Sequence, residues 1–142
     1  MFELFGKADR IIGFNSLGFD VPALVPYAPL SFAQLPHFDI LAKMKEVEGK
    51  RMSLDSIAKA TLSAKKNDHG ANAIKYWNEH TAESLEKLKT YCEMDVAITR
   101  DIYDHAMQHR FLKYIDFWNE THEVTLDFSY PKSDNLVQDS LF

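Results

Sequence analysis

Residues 13–24 read GFNSLGFDVPAL, and this stretch decides how the rest of the chain is interpreted. Two isoleucines precede it, the chain turns through Asn15 and Gly18, and Phe19 then stands beside Asp20 ahead of another apolar run. A carboxylate at a core-facing position needs a partner, because a buried charge without one costs several kcal/mol. Asp20 therefore either caps the helix that is predicted to begin there or faces a positive charge.

The composition is that of a single globular domain. The chain has 142 residues, of which 46% are hydrophobic and 26% charged, and its formal net charge is -5. No apolar run approaches the roughly 18 residues that a membrane span needs, and residues 1–10 lack the apolar core of a signal peptide. Because Cys92 is the one cysteine, an internal disulfide is excluded, and we expect a cytoplasmic protein with no membrane partner.

The charge is unevenly distributed along the chain. Residues 43–66 contain seven Lys or Arg residues against three Asp or Glu residues. A basic segment of this kind is suited to following a phosphate backbone, whereas a solvated helix face and loop explain the same charges without a ligand. The charge pattern leaves both interpretations open.

Hydrophobic periodicity and capping residues predict a mostly helical structure with one short buried strand. The strand is predicted at residues 10–15, where β-branched residues precede a glycine and an asparagine. Helices are predicted at 19–25, at 54–62 after the N-cap Ser53, near 71–78, and from the cap Thr81 to about residue 109. The chain turns polar after Tyr130, so residues 131–142 are predicted to be a flexible tail.

The last of these helices carries a carboxylate on an apolar face. Asp95 shares that face with Tyr91, Ile98 and Ile102. Tyr91 lies one turn before Asp95, and a phenol and a carboxylate at this spacing can hold a water or a metal-bound hydroxide between them. An exposed pair at the edge of the face is the alternative. A second stripe, also predicted to be buried, consists of Leu88, Cys92, Val96, Thr99 and Tyr103.

Together these segments resemble the proofreading-type 3′–5′ exonucleases of the DnaQ-like, ribonuclease H-like superfamily. The family's second motif is an asparagine, three residues and Phe-Asp, as in residues 15–20. Its third motif, in the tyrosine form, places a tyrosine four residues before an aspartate, as in the segment YCEMD that runs from Tyr91 to Asp95. The intervening HFDILAKM and SLDSIAKATLSAKK are similar to predicted exonucleases related to the proofreading domains of family B polymerases. The resemblance covers residues 8–106.

The resemblance implies an α/β fold of the ribonuclease H type and hydrolysis at the 3′ end of single-stranded DNA in replication or repair. In this family four carboxylates hold two Mg²⁺ or Mn²⁺ ions roughly 4 Å apart, and the ions clamp the attacking and leaving oxygens. Asp20 and Asp95 match two of these ligands. Tyr91 matches the residue that orients the attacking water or helps to deprotonate it.

The resemblance also implies where the nucleic acid is contacted. Asn15 and Phe19 would lie near the substrate, and Lys65 and Lys66 are candidates for backbone contacts. The tryptophans, Trp77 and Trp118, are predicted to be packing residues rather than platforms for base stacking.

The chain departs from the family at the first motif, an Asp-x-Glu pair that supplies the other two carboxylates. No Asp-x-Glu occurs in the sequence. We therefore expect residues 1–130 to be the C-terminal part of such a domain, lacking its first strands and with a short residual sheet, and to have little or no nuclease activity alone. Self-association or a missing N-terminal half would cover the sheet edge. A non-catalytic module that binds nucleic acid or another protein is the alternative.

The chain ends in QDSLF, residues 138–142. This resembles the pentapeptide by which bacterial replication and repair proteins bind the sliding clamp, although the second position is usually leucine and here is Asp139. Gln138 would fix orientation by hydrogen bonds, and Leu141 and Phe142 would enter an apolar pocket. A polar tail with a hydrophobic end is the alternative.

Overall fold

The computed structural model describes residues 1–63 and 70–131, which form an α/β structure dominated by helices. The prediction of a mostly helical α/β fold with small sheets is confirmed. The helices are α1 Phe2–Gly6, α2 Asp20–Leu24, α3 Ile40–Glu48, α4 Leu54–Leu62, α5 Gly70–Glu79 and α6 Ala82–His109. The strands are β1 Ile11–Gly13, β2 His37–Asp39, β3 Phe111–Ile115 and β4 Thr121–Thr125. Among the described helices, none is long and apolar enough to cross a membrane.

A two-stranded parallel sheet, β1 beside β2, positions the loops of interest. Ile11 pairs with His37 and Gly13 with Asp39, so the two strands end side by side. The carboxyl ends of parallel strands are where open α/β sheets bind ligands. The loop after β1 and the residue that ends β2 therefore share one edge of this sheet.

The helix boundaries follow from their capping residues. Ser53 accepts a hydrogen bond from the backbone N–H of Ser56 at the start of α4. Thr81 and Ser84 form a reciprocal capping box at the start of α6, and α6 ends where Arg110 adopts a left-handed conformation with φ of 62°. The predicted caps and the predicted extent of both helices are confirmed.

The β3–β4 hairpin was not predicted from the sequence. Its strands are antiparallel, with Leu112 opposite Val124 and Tyr114 opposite His122. Leu112, Tyr114 and Val124 are almost fully buried, so the two strands alternate inward and outward residues as half-buried strands do. The hairpin is fixed to α4 by Ser56, whose hydroxyl donates to the carbonyl of Ile115 at 2.6 Å and accepts from its N–H at 2.8 Å.

The hydrophobic core lies between α3, α4, the second half of α6 and the hairpin. Arg10 fastens the segment before β1 to this core, because its guanidinium donates to the Tyr103 hydroxyl at 3.0 Å and to the carbonyl of Phe128. It also lies over the Tyr130 ring, 3.9 Å from the centroid. The core residues are Ile40, Leu41, Met44, Met52, Ile57, Ala58, Ile98, Ile102, Tyr103, Ala106, Leu112, Tyr114, Val124, Leu126 and Phe128.

Two sequence-based expectations about burial are wrong. Cys92 is exposed, and Val96, on the same predicted stripe, is 70% exposed. The buried apolar residues of α6 all lie from Ile98 onward, because the core covers only the second half of this helix. Trp77 and Trp118 were expected to pack inside, yet they are 58% and 79% exposed.

Candidate active-site cleft

The turn after β1 depends on side chains that permit an unusual backbone. Asn15 has a φ of 56°, a left-handed conformation that asparagine tolerates better than most residues. A Cβ at Gly18 would stand 2.7 Å from the Asn15 Oδ1, and a Cβ at Gly13 would stand 2.5 Å from the Cβ of Ser16. Both glycines are therefore required for the close packing of this turn, which carries the chain from β1 to Asp20.

A buried carboxylate holds this turn in place. Asp39, at the end of β2, is 4% exposed. Its Oδ1 accepts from the N–H of Asn15 at 2.8 Å and its Oδ2 from the N–H of Leu17 at 3.0 Å. It also caps α3, accepting from the N–H of Ala42 at 3.3 Å. Sequence reasoning missed this role, although a carboxylate between a strand and a helix is a recognisable cap signal.

Asp20 and Asp95 line the same cleft, whose volume is about 820 Å³. They are distant in the sequence and line one cleft because α6, which carries Asp95, packs against β1, which leads into the turn before Asp20. Asn15 lines the cleft as well. Phe19 occupies the N-cap position of α2, and Asp20 lies in the first turn, where its carboxylate has a backbone hydrogen bond, so a stabilising role at the helix start stays open.

The surroundings of the two carboxylates differ. Asp20 is exposed overall, so its position is not core-facing as the sequence suggests. Partial burial of its carboxyl still raises its pKa, a backbone hydrogen bond opposes this shift, and the negative charge of Asp39 adds a smaller rise. Asp95 is half-buried, and its Oδ1 is inaccessible to solvent. Asp95 is therefore not part of an exposed edge. Thr99, one turn later, donates its hydroxyl to the Asp95 carbonyl at 2.8 Å.

The remaining wall of the cleft carries charges of both signs. Arg51 and Arg100 line it, as does a third carboxylate, Asp104. Arg100 pairs with the neighbouring Asp101 at 2.9 Å. Carboxylate oxygens are the donors that Mg²⁺ and Mn²⁺ prefer, so the donor set of this cleft fits such an ion in kind.

Tyr91 lies outside this cleft. It lines a neighbouring pocket of about 620 Å³ between α5 and α6, together with Tyr76, Lys87 and Met94. It precedes Asp95 by one helical turn, so the two pockets lie next to each other along α6.

The other predicted site residues either lie outside the cleft lining or fall outside the described residues. Phe19 is 68% exposed beside Asp20 and does not line the cleft. Lys65, Lys66, Gln138, Leu141 and Phe142, and with them nearly all of the tail predicted at 131–142, lie outside the described residues.

A second group of potential metal ligands lies at the hairpin. Asp116, Glu120 and His122 have ligand atoms within 4.8 Å of one another. The Asp116 carboxylate is already engaged, because it accepts from the N–H groups of Trp118 and Glu120 and lies 2.6 Å from the His122 Nε2. This group is the structural centre of the hairpin turn.

A parallel sheet whose strands end side by side and a cleft lined by carboxylates and arginines define an α/β domain with a candidate active site. A sequence model of the RNase H superfamily matches residues 1–107, about three quarters of the chain, and the chain therefore belongs to that superfamily. The matched range contains Asn15, Asp20, Asp39, Tyr91 and Asp95. Comparisons with curated proteins and with solved structures gave no match.

Proposed function

We propose that this domain is a 3′–5′ exonuclease of the tyrosine type that acts on single-stranded DNA in the cytoplasm, in replication or repair. Membership of the RNase H superfamily supports a nuclease-type activity. The observation that carries the finer assignment is the presence of Asp20 and Asp95 in one cleft. Asn15 contributes to the same cleft, in the order and spacing of the motifs that the sequence contains.

In this proposal Asp20 and Asp95 hold Mg²⁺ or Mn²⁺. A bound divalent ion would neutralise charge on the scissile phosphate and lower the pKa of water. The raised pKa of the Asp20 carboxyl is consistent with the assignment, because a bound cation would offset the cost of partly burying its charge and the repulsion from Asp39.

Tyr91 is proposed to position the attacking water. Its phenol is a hydrogen-bond donor and acceptor one turn from Asp95. Because Tyr91 lines the neighbouring pocket, this role requires its side chain to turn from that pocket toward the cleft. Replacing Tyr91 by phenylalanine would remove the hydroxyl and retain the ring.

The substrate end is proposed to lie between Asn15 and Phe19. Phe19 exposes its ring next to Asp20, where a terminal base can stack on it. Lys65 and Lys66 are proposed to contact the phosphate backbone farther from the 3′ end.

Of the four carboxylates in the family's motifs, the chain contains two, since it has no Asp-x-Glu. Asp104 also lines the cleft but matches neither of the missing motif positions. We propose that a separate segment carrying an Asp-x-Glu pair supplies the rest. The chain alone is then expected to degrade single-stranded DNA slowly or not at all with Mg²⁺ or Mn²⁺. Rapid degradation that Asp95→Ala abolishes would contradict this part of the proposal.

Photo-crosslinking tests the binding mode without requiring hydrolysis. A single strand with 4-thiothymidine at its 3′ end should crosslink to residues around Asn15 and Phe19 when Mn²⁺ is present. The same strand with the probe at its 5′ end is the control and should not crosslink there. Equal crosslinking from both ends, or crosslinks outside the cleft, would contradict a 3′-end site.

A second candidate is a non-catalytic module that binds nucleic acid or a sliding clamp. The lack of an Asp-x-Glu pair favours it. Gln138, Leu141 and Phe142 would make the clamp contact. A peptide of residues 131–142 should bind a bacterial sliding clamp, and replacing Leu141 and Phe142 by alanine should abolish binding. Equal binding by both peptides would remove this candidate.

A further inference from the structure

The tip of the β3–β4 hairpin exposes two adjacent aromatic rings. Phe117 is 94% exposed and Trp118 is 79% exposed. Their ring centroids are 5.6 Å apart with planes at 85°, so they form one edge-to-face pair with open ring faces. Burial of aromatic rings ordinarily contributes strongly to the stability of the folded state, and this exposed pair makes no such contribution. Adjacent exposed apolar rings are typical of a surface that binds a ligand.

The hairpin turn holds these rings in a defined position. The Asp116 Oδ1 accepts from the N–H groups of Trp118 at 2.8 Å and Glu120 at 2.9 Å, and its Oδ2 lies 2.6 Å from the His122 ring. Asn119 closes the turn with a φ of 62° and donates its N–H to the Asp116 carbonyl at 3.0 Å. A surface that is ordered before binding loses less entropy when a ligand binds.

The tip is connected to the cleft through the start of α4. Ser56 binds the backbone of Ile115, the last residue of β3, while Ser53 and Leu54 line the cleft. Two successive cations contact the two ends of this connection. Lys50 has its Nζ 5.2 Å from the centroid of the Tyr114 ring in β3, and Arg51 lines the cleft.

We propose that Phe117 and Trp118 form a stacking platform for bases of single-stranded nucleic acid whose 3′ end occupies the cleft. This inference rests on the proposed function. The phosphates pass Lys50 and Arg51, and a base upstream of the end stacks on the hairpin tip. Lys50 and Arg51 supply positive charge and the tip supplies aromatic rings, the two features by which proteins bind single strands without reading their sequence. The carboxylates of Glu48 and Asp116 near Lys50 are already hydrogen-bonded, to the Tyr114 hydroxyl and to the backbone of the hairpin turn.

The emission of Trp118 tests the platform directly. In a Trp77→Phe background Trp118 is the remaining tryptophan, because the chain has two. Oligodeoxythymidylate of about 12 nucleotides, within the site sizes known for such surfaces, should quench this emission in metal-free buffer. Phe117→Ala and Trp118→Ala in the wild-type background should each weaken binding about tenfold by fluorescence anisotropy of the labelled strand. Trp77→Ala, an equally drastic change at another exposed tryptophan, should leave affinity within about twofold.

The outcomes separate this inference from the proposed function. Binding that is unchanged in both alanine variants overturns the platform and leaves the cleft assignment standing. Quenching and the tenfold losses without 3′-end crosslinking support the platform and contradict the cleft assignment. If the strand does not bind, or if Trp118→Ala instead converts an oligomer to a monomer in light scattering, the platform is overturned, because the tip then serves no nucleic acid.

Discussion

At the scale of single residues, the site depends on a carboxylate that holds the backbone of its turn. Asp39 is buried and satisfies the backbone of the turn that leads to Asp20. The family resemblance predicted that Asp20 and Asp95 lie together, and both line one cleft. It did not predict Asp39, because a cap residue before a helix carries no sign of the distant turn that it also binds.

Asp39→Asn should destabilise the protein. One acceptor oxygen becomes an NH₂ group that faces a backbone N–H, so a buried charge-assisted hydrogen bond is lost. We expect the free energy of unfolding to fall by about 2 kcal/mol in urea titrations. Asp9→Asn, at an exposed position, is the matched control and should change it by less than about 0.5 kcal/mol. Equal effects of the two changes would show that Asp39 does not fix the turn.

Asp20 should make stability depend on pH in metal-free buffer. Its pKa is raised above the ordinary value of 3.8, chiefly by burial, so the folded state binds the proton more tightly than the unfolded state. The protonated Asp20 carboxyl therefore contributes to stability fully below pH 3.8, and this contribution is lost as the pH rises through the pKa of Asp20 in the folded state. Asp20→Asn should therefore raise Tm at pH 7 and make little difference at pH 3. A lower Tm at pH 7 in the variant would mean that the carboxylate is stabilising there.

At the scale of secondary structure, local signals predicted some elements and not others. The long helix α6 was predictable because Thr81 caps it and its apolar residues recur at helical spacing. The hairpin was missed because β3 and β4 have only 5 residues each, and alternation over so few positions is easily overlooked. Trp118 was expected to be buried because the hairpin, and with it the position of Trp118 at the hairpin tip, was not predicted.

Ser56→Ala should weaken the attachment of the hairpin to α4. The hydroxyl of Ser56 both donates to and accepts from the backbone of Ile115, and its loss leaves these groups without that partner. We expect a loss of about 1–2 kcal/mol in the free energy of unfolding. Ser31→Ala is the control, because Ser31 is exposed and its side chain makes no capping bond. A loss no larger than that of the control would show that the hydroxyl does not secure the hairpin.

At the scale of the whole molecule, contacts between distant segments create the cleft. Arg10 reaches Tyr103, 93 residues away, and the carbonyl of Phe128, 118 residues away. These contacts fix β1 against α6. The loop after β1 then leads to Asp20. The family resemblance predicted the pairing of Asp20 with Asp95, but contacts such as those of Arg10 leave no periodic signal in the sequence and emerge only from the packed structure.

The binding of Mn²⁺, followed by the electron paramagnetic resonance signal of the free ion, tests the central claim that Asp20 and Asp95 form one cation site. Asp20→Asn and Asp95→Asn should each weaken binding about tenfold or more, since loss of even an outer partner of a ligand costs at least that much. Asp116→Asn, in the other carboxylate group, should leave the affinity of this site unchanged. Binding that survives both cleft substitutions and is lost with Asp116→Asn would contradict the account.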